Sequence, residues 1–380
     1  MTEKEFIMIT DVNSPYRDHL FSTLNHKLKK KNIAFKVYFM KSESKIRRWN
    51  NSLFKKNYKY MISNGLSFSL GMHEFHYNLD IIKYIFKNRK KCLFIIGGSW
   101  NSPTTLIISL LIQFKIFNKN NFYLWSESNY KSFIFKNSII DFLRKFIFSK
   151  FVKFVVPSEM AIKSVKLILK TDKKINFFLL PNIVNEKKFT PEPSKIKYNK
   201  IIAFWPARLH ENSKGIINFL KKVKKLILNN PNFRILIAGD GPDKNKINTF
   251  IKVNGLNKSV RLLGYLKENE IIKKYNESDF FLLPSLRDPC PLSVIEALWM
   301  SKPLLISDHC GNINEALISS TNGFSFDPKN SLSVETGLIN MLKLPKNKLR
   351  EFGHASRVIA KQKFKSDECI DNFLKKIKGI

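Results

Sequence analysis

Residues 280–315 read FFLLPSLRDPCPLSVIEALWMSKPLLISDHCGNINE. Phe280–Pro284 is an unbroken apolar run, the pattern of a strand buried on both faces. A tight turn holding Asp288 follows, then a helix carrying Glu296, a second short strand at Pro303–Ser307 and a loop containing Gly311. The helix is apolar nearly all round (Leu292, Val294, Ile295, Leu298, Trp299, Met300), which predicts burial. Glu296 falls on that apolar surface, four residues after Leu292 and three before Trp299. An unpartnered polar group there costs about 2–7 kcal/mol on transfer scales. Glu296 therefore needs either a salt bridge or a ligand with hydroxyl donors.

The same alternation extends in both directions. Upstream, strands are expected at residues 5–10, 34–40, 92–96, 122–125, 151–156 and 179–180, with helical stretches near 18–30, 80–87, 104–117 and 133–148 between them. After a polar segment at Asn185–Lys200, which carries two prolines and reads as a linker, the pattern restarts. Strands are expected at 201–204, 233–238 and 260–263, and helices at 215–228, 243–253 and 267–275. Strands separated by helices of this length imply parallel pairing with crossovers, hence two α/β doubly wound domains. Ligands of such sheets sit at the carboxyl ends of the strands. The loops to examine are then Asp11–Arg17, Gly97–Asn101, Ser126–Asn129, Pro206–Lys214, Gly239–Pro242, Ser285–Pro291 and Asp308–Asn312. They fall into one set per domain, which predicts a cleft between the domains. The last stretch, Lys361–Lys378, reads as a basic amphipathic helix.

With 380 residues and 44% hydrophobic content the chain can bury two cores. Its 66 basic and 30 acidic residues give a net charge of +36. Residues 1–200 contribute +24 (37 minus 13) and residues 201–380 +12 (29 minus 17). Such a field favours polyanions, although an AT-rich coding sequence gives the same excess of Lys, Asn, Ile and Phe without a functional demand. Charge alone would support only non-specific, salt-sensitive binding of nucleic acid, and no basic-aromatic stacking motif accompanies it. The four cysteines form no Cys-x-x-Cys pair and no metal spacing with the seven histidines. His73 and His76, three apart, would share a helical face, but no third ligand lies nearby. The start of the chain lacks a signal-peptide layout, and no apolar run reaches the roughly 18 residues of a membrane span. A cytoplasmic location is expected. One stretch, Phe133–Phe148 (FIFKNSIIDFLRKFIF), interleaves aromatic and aliphatic residues with Lys136, Arg144 and Lys145. It reads either as a core-facing helix or as one lying against anionic lipid.

Within the second half, Arg208 and Lys214 flank the loop after its first strand (FWPARLHENSKG). A guanidinium, an ammonium and the amides of the following helix suit a diphosphate. Gly239-Asp240-Gly241 either admits a ligand close to the backbone or makes a tight strand-to-helix turn. A G-x-G-x-x-G fingerprint is absent, so no nicotinamide cofactor is expected. His309 would lie in a loop that either faces a phosphate or is solvated.

Taken in order, ARLHENSKG, LIAGDGP, SLRDPCPLSVIEAL and KPLLISDHCGNxxE resemble the donor domain of family 4 retaining glycosyltransferases of the GT-B fold. SPYRDHLF, LWSESN, VVPSEMA and LPNIVNEKKF resemble the same family's N-terminal domain. The resemblance implies an acceptor-binding Rossmann-like domain at 1–195, a nucleotide-sugar donor domain at 196–360, and a C-terminal helix at 361–380 packing back on the first. It implies a metal-independent hexosyltransferase with no cofactor beyond the nucleotide-sugar co-substrate, acting on a glycan or lipid-linked glycan in surface polysaccharide or lipopolysaccharide synthesis. Glu296 would bind ribose hydroxyls and Asp288 the donor sugar. Arg208 and Lys214 would stabilise the departing diphosphate, with Gly239, Cys290, Pro291 and Leu292 lining the donor. Arg17, Trp100 and Glu127 stand on the acceptor side. The chain departs from the family pattern in having Asp288 for a glutamate and Pro291 for a common glycine. It also lacks the paired glycines often found in the first loop, and Gly97-Gly98-Ser99-Trp100 stands where many members carry a histidine. The alternatives are a nucleotide-sugar epimerase of the same architecture, for which no acid/base set around the sugar is evident, and an inactive partner subunit.

Overall fold

The computed structural model describes residues 5–42, 56–70, 73–98, 102–132, 138–170, 174–192 and 200–377. The chain divides into two compact units. The first comprises Met1–Tyr130, Ile134–Ile183 and Ser366–Ile380, and the second Lys131–Phe133 and Val184–Lys365.

In the first unit, seven strands form a wholly parallel sheet. They are β1 (Glu5–Thr10), β2 (Ala34–Phe39), β3 (Lys59–Ile62), β6 (Cys92–Gly97), β7 (Phe122–Trp125), β8 (Lys153–Val156) and β9 (Asn176–Leu179), in the order β3-β2-β1-β6-β7-β8-β9. Their apolar runs reflect burial on both faces. Phe6 and Met8 face helices Pro15–Lys29 and Ser366–Lys376, while Ile7 and Ile9 face a layer made by Leu79–Asn88, Pro103–Gln113, Ser138–Ser149 and Glu159–Leu169. Two of those helices start at serine caps: Ser102 accepts from the Thr105 amide and Ser158 from the Ala161 amide, both at 3.3 Å.

Strand β3 and a separate antiparallel hairpin, β4 (Leu66–Leu70) with β5 (His73–Tyr77), were not expected from the sequence. The hairpin stacks Phe68 on Phe75 with ring centroids 5.0 Å apart. His73 and His76 therefore lie in a strand rather than on a helix. His76 is buried and 2.9 Å from the Ser67 hydroxyl.

In the second unit, β10 (Ile201–Pro206), β11 (Phe233–Ala238), β12 (Val260–Gly264), β13 (Phe280–Leu283), β14 (Leu304–Ser307) and β15 (Gly323–Phe326) form a parallel sheet ordered β12-β11-β10-β13-β14-β15. One continuous core packs both of its faces. This unit starts earlier than the sequence suggests. Val184 and Phe189 are buried in its core, and Arg357 donates to the Phe189 carbonyl at 2.9 Å, so part of the expected linker is structural.

The end of the chain also differs from expectation. Instead of one basic helix over Lys361–Lys378, Lys346–Lys363 and Ser366–Lys376 are two helices broken at Phe364-Lys365. The second is acidic in its first turn, and Asp367 and Asp371 bind Lys27 of the first unit at 3.1 and 2.7 Å. It buries Cys369, Ile370, Phe373 and Leu374 against helix Pro15–Lys29 and the sheet. Among the described residues no helix is long and apolar enough to cross a membrane.

If that last helix is an integral part of the first core, Phe373→Ala leaves an unfilled site and lowers stability by about 3–5 kcal/mol. The midpoint of denaturant unfolding should fall accordingly. An unchanged midpoint would mean that the helix lies on the surface.

Candidate donor and acceptor sites

Each sheet reverses its direction of growth once. In the second unit β10, β11 and β12 extend one way, and β13 joins the other side of β10. The crevice beyond the carboxyl ends of β10 and β13 is the switch point at which ligands of such sheets bind. The loops leaving those two strands carry Arg208, Lys214 and Asp288.

The β10 loop is stitched to its neighbours. Ala207 and Leu209 amides donate to the Ala238 and Asp240 carbonyls at 2.8 and 3.0 Å. The glycines of the β11 loop make this approach possible. Gly239 has φ +146°, and a Cβ there would lie 1.9 Å from the Ala207 carbonyl oxygen; one on Gly241 would lie 2.3 Å from that of Leu209. Gly239 thus serves loop-on-loop packing, the turn reading of that motif. The loop then forms a short helix, Glu211–Lys214, closed by Gly215 at φ +62°. A Cβ on Gly215 would meet Leu286 at 2.7 Å, so the short helix sits directly against the β13 loop. There the Arg287 amide donates to the Ser213 carbonyl at 2.9 Å.

This packing brings Lys214 and Asp288 into contact as an ion pair, with the Ser285 hydroxyl 3.4 Å from the same carboxylate. Asp288 is only 6% exposed, and its carbonyl accepts from the Gly311 amide at 2.9 Å. The lysine expected to meet a diphosphate and the carboxylate expected to hold a sugar are thus ion-paired with each other. Arg208 is half-buried at the exit of β10. The expectation that the amides of the next helix would also face a phosphate is corrected. The Ile217 and Asn218 amides at the start of helix Ile216–Leu228 donate to the Glu211 carboxylate at 2.7 and 2.9 Å. Cys290 and Pro291 are buried and lead into helix Leu292–Trp299, with Asn312 holding the Pro291 carbonyl at 3.0 Å.

Glu296 is half-buried on that helix, whose Val294, Ile295, Ala297, Leu298 and Trp299 are buried. Among the described residues its carboxylate is met by a phenol rather than a salt bridge: the Tyr275 hydroxyl is 3.1 Å from Glu296 Oε2 and 3.0 Å from the Ser293 carbonyl. Tyr275 is fully buried. One hydroxyl proton cannot serve both acceptors, and both are met only when Glu296 is protonated and donates to the tyrosine oxygen. Desolvation pushes the Glu296 carboxyl up to about 7; the Tyr275 hydrogen bond opposes that shift and the charge of Glu268 adds to it. Tyr275 was missed from the sequence. It closes the apolar face of helix Glu268–Glu277, 21 positions before the glutamate it serves.

His309 is buried rather than solvated. Its Nδ1 is 2.7 Å from the Leu286 carbonyl, and Nε2 lies 3.7 Å from Asp308 and 4.0 Å from Asp327. The three side chains bring potential metal-ligand atoms within 4.8 Å of one another, but Lys131 already binds Asp308 at 2.5 Å.

In the first unit the switch point lies between β1 and β6. A cavity of about 240 Å³ opens there, lined by Thr10, Arg17, Gly97, Trp125 and Glu127 among others. Arg17 contacts the Thr10 hydroxyl, lies 4.8 Å above the Trp125 ring and stands 3.8 Å from Glu127. The buried indole N–H of Trp125 meets no hydrogen-bond acceptor among the described residues. The structure therefore joins Arg17 and Glu127 and adds Trp125, which the sequence reading had placed in a strand without a role. Trp100 lies outside the described residues.

The sequence profile of glycosyl transferases group 1 matches residues 186–358. An uncharacterized glycosyltransferase, MJ1059, of Methanocaldococcus jannaschii is 30% identical over 218 residues, 53% of this chain and 52% of that protein. The UDP-Gal:alpha-D-GlcNAc-diphosphoundecaprenol alpha-1,3-galactosyltransferase of Escherichia coli is 33% identical over 147 residues, 35% of this chain and 37% of that protein. The chain spans about half or less of the length of these relatives. Among solved structures, Anabaena Alr3699/HepE in complex with UDP and glucose superposes with a TM-score of 0.74 at 14% identity, covering 99% of this chain and 100% of that one. TarM superposes at 0.73 with 13% identity, covering 100% and 99%. Residues 186–358 are therefore similar to glycosyl transferases group 1, and the fold of the chain throughout is GT-B.

Proposed function

We propose that the chain is a retaining, metal-independent glycosyltransferase. It would move a hexosyl group from a nucleotide-sugar to a glycan or lipid-linked glycan, in synthesis of a surface polysaccharide or lipopolysaccharide. The observation that carries this reading is Glu296, a largely desolvated carboxylate that shares one phenol with a backbone carbonyl, placed on the helix that follows the Lys214–Asp288 pair. Ribose hydroxyls would supply the donors it lacks. Asp288 would hold the transferred sugar, while Arg208 and Lys214 meet the charge that develops on the departing diphosphate. The first-turn amides of helix Leu292–Trp299, which have no intrahelical acceptor, would add to that field. UDP appears with HepE in the superposed complex, which supports a uridine nucleotide as the first to test. On the acceptor side, Arg17, Glu127 and the unpartnered indole of Trp125 offer a cation, a carboxylate and a donor to a hydroxylated ligand.

A thermal-shift panel of UDP, GDP, ADP and CMP tests the reading, with stabilisation by one of them expected and no shift from any of them counting against it. Glu296→Ala should then weaken nucleotide binding about tenfold or more, as the loss of charge-assisted hydrogen bonds does. Asp288→Ala should spare nucleotide binding and abolish transfer. Equal losses of binding would contradict the separation into ribose and sugar roles.

Protonation adds a second test. The unfolded chain ionises Glu296 near its ordinary value of 4.5, whereas the folded chain holds the proton to about 7. Its contribution to stability is therefore full below the ordinary value and is lost as the pH rises through about 7. Glu296→Gln should raise the melting temperature of the ligand-free protein at pH 8, by up to about 3 kcal/mol in stability, and leave it nearly unchanged at pH 4. Nucleotide binding to the ionised carboxylate should release a proton below pH 7, measured by titration calorimetry in buffers of different ionisation enthalpy. Heats independent of buffer would argue against Glu296 as the hydroxyl acceptor.

A further inference from the structure

The helical layer on one face of the first unit leaves apolar side chains uncovered on its outer side. Helix Ser138–Ser149 directs Ile147 and Phe148 into the core and presents Ile139 and Phe142, each 67% exposed, on the opposite side. Lys145 continues that exposed stripe one turn on, and half-buried Phe146 carries the Lys150 ammonium 4.4 Å above its ring. The one acidic residue of the helix, Asp141, is paired with Arg144 at 3.0 Å. Helix Pro103–Gln113 packs beside it and contains no charged residue at all. Ile107 and Leu110 are half-buried on its outer side, and the chain beyond its end exposes Phe114 (68%) between Gln113 and Lys115. On the other flank, helix Glu159–Leu169 exposes Leu167 (47%). Residues 103–119 and 138–170 together hold nine Lys and Arg against two Asp and Glu.

We infer that this face docks on an anionic lipid surface, with Ile139 and Phe142 entering the boundary between headgroups and acyl chains. The lysines around them would contact the headgroups. A helix lying in the membrane plane needs large apolar side chains on one side and basic residues at the level of the headgroups, and this layer supplies both. The charge balance also weighs against a second copy of the chain as the occupant, since a two-fold interface would set this basic face against itself. The inference is independent of the reaction proposed above, because no residue of either candidate site belongs to the exposed stripe.

Flotation of the full-length protein with vesicles tests it. Phosphatidylcholine vesicles doped with phosphatidylglycerol should carry the protein upward, pure phosphatidylcholine vesicles should carry far less, and added salt should release it. Ile139→Ser with Phe142→Ser should lower partitioning roughly a hundredfold, as expected for withdrawing two large side chains from the interface. The melting curve should be unchanged, because both residues are exposed. Lys145→Glu with Lys150→Glu should lower binding to the anionic vesicles alone. Flotation unaffected by either double variant would overturn the inference. So would equal binding to neutral vesicles, a self-associated wild type that becomes monomeric in the serine variant, or binding to nucleic acid that needs the same four residues while the vesicles stay empty.

Discussion

A carboxylate on an apolar helix is the constraint around which the second unit is arranged. Glu296 disfavours the fold once ionised, and among the described residues no lysine or arginine pairs with it to offset that cost. The chain instead surrounds it with a fully buried tyrosine, whose own hydroxyl is shared with the Ser293 carbonyl. This arrangement is satisfied with a proton in place and unsatisfied without one. It leaves a position where a ligand bearing hydroxyl donors gains more than it would on a solvated surface, because it replaces an internal deficit rather than water. Holding the helix in place requires the strand before it to be completely buried, and Phe280–Leu283 has no exposed side chain.

The features most legible in the sequence were those with a local signature. Parallel strands covered on both faces leave unbroken apolar runs, so FFLL, FYLW and FRILIA could be read as strands directly. Asp288 and Glu296 stand eight positions apart in one turn-and-helix unit, so their association was also local. What escaped the reading depended on distance along the chain. Tyr275 reaches Glu296 from a neighbouring helix, and Glu211 reaches forward to occupy the amides that had been assigned to a phosphate. The hairpin at Leu66–Tyr77 was missed for a different reason. Its alternation of period two is present in L-S-F-S-L and H-E-F-H-Y, but the strands are short, polar at every second position, and carry histidines that drew attention to a metal. The division at Val184 was obscured because one buried phenylalanine, Phe189, lies inside a segment otherwise composed like a linker.

The two sheets use the same device for different chemistry. Each reverses at a central strand, and each places cations and carboxylates in the crevice that the reversal creates. In the second unit the carboxylate Asp288 is buried against Lys214. In the first, Arg17 lies against an aromatic face, which lets a guanidinium remain desolvated at lower cost than without the ring. The high net charge of the chain explains neither site. Both depend on individual cations held by specific partners.

The Lys214–Asp288 pair bears directly on how charge is handled in the proposed reaction. A lysine in contact with a carboxylate presents a smaller net field to an approaching anion than a lysine alone. Arg208, half-buried at the exit of β10, is the second cation of the same loop. The pair is not loosely held: the Gly215 turn seats the short helix against Leu286, and the Ser213 carbonyl is bonded to the Arg287 backbone. The Asp288 carboxylate lies within this rigid junction beside Ser285, and its backbone carbonyl is held by the Gly311 amide. A sugar that offers hydroxyls to Asp288 would compete with Lys214 for the same oxygens and so return the lysine's charge to the diphosphate. In the proposed reaction, donor sugar and leaving group would in this way be coupled through a single ion pair, and the residue that departs from the family pattern would be the one through which the coupling runs.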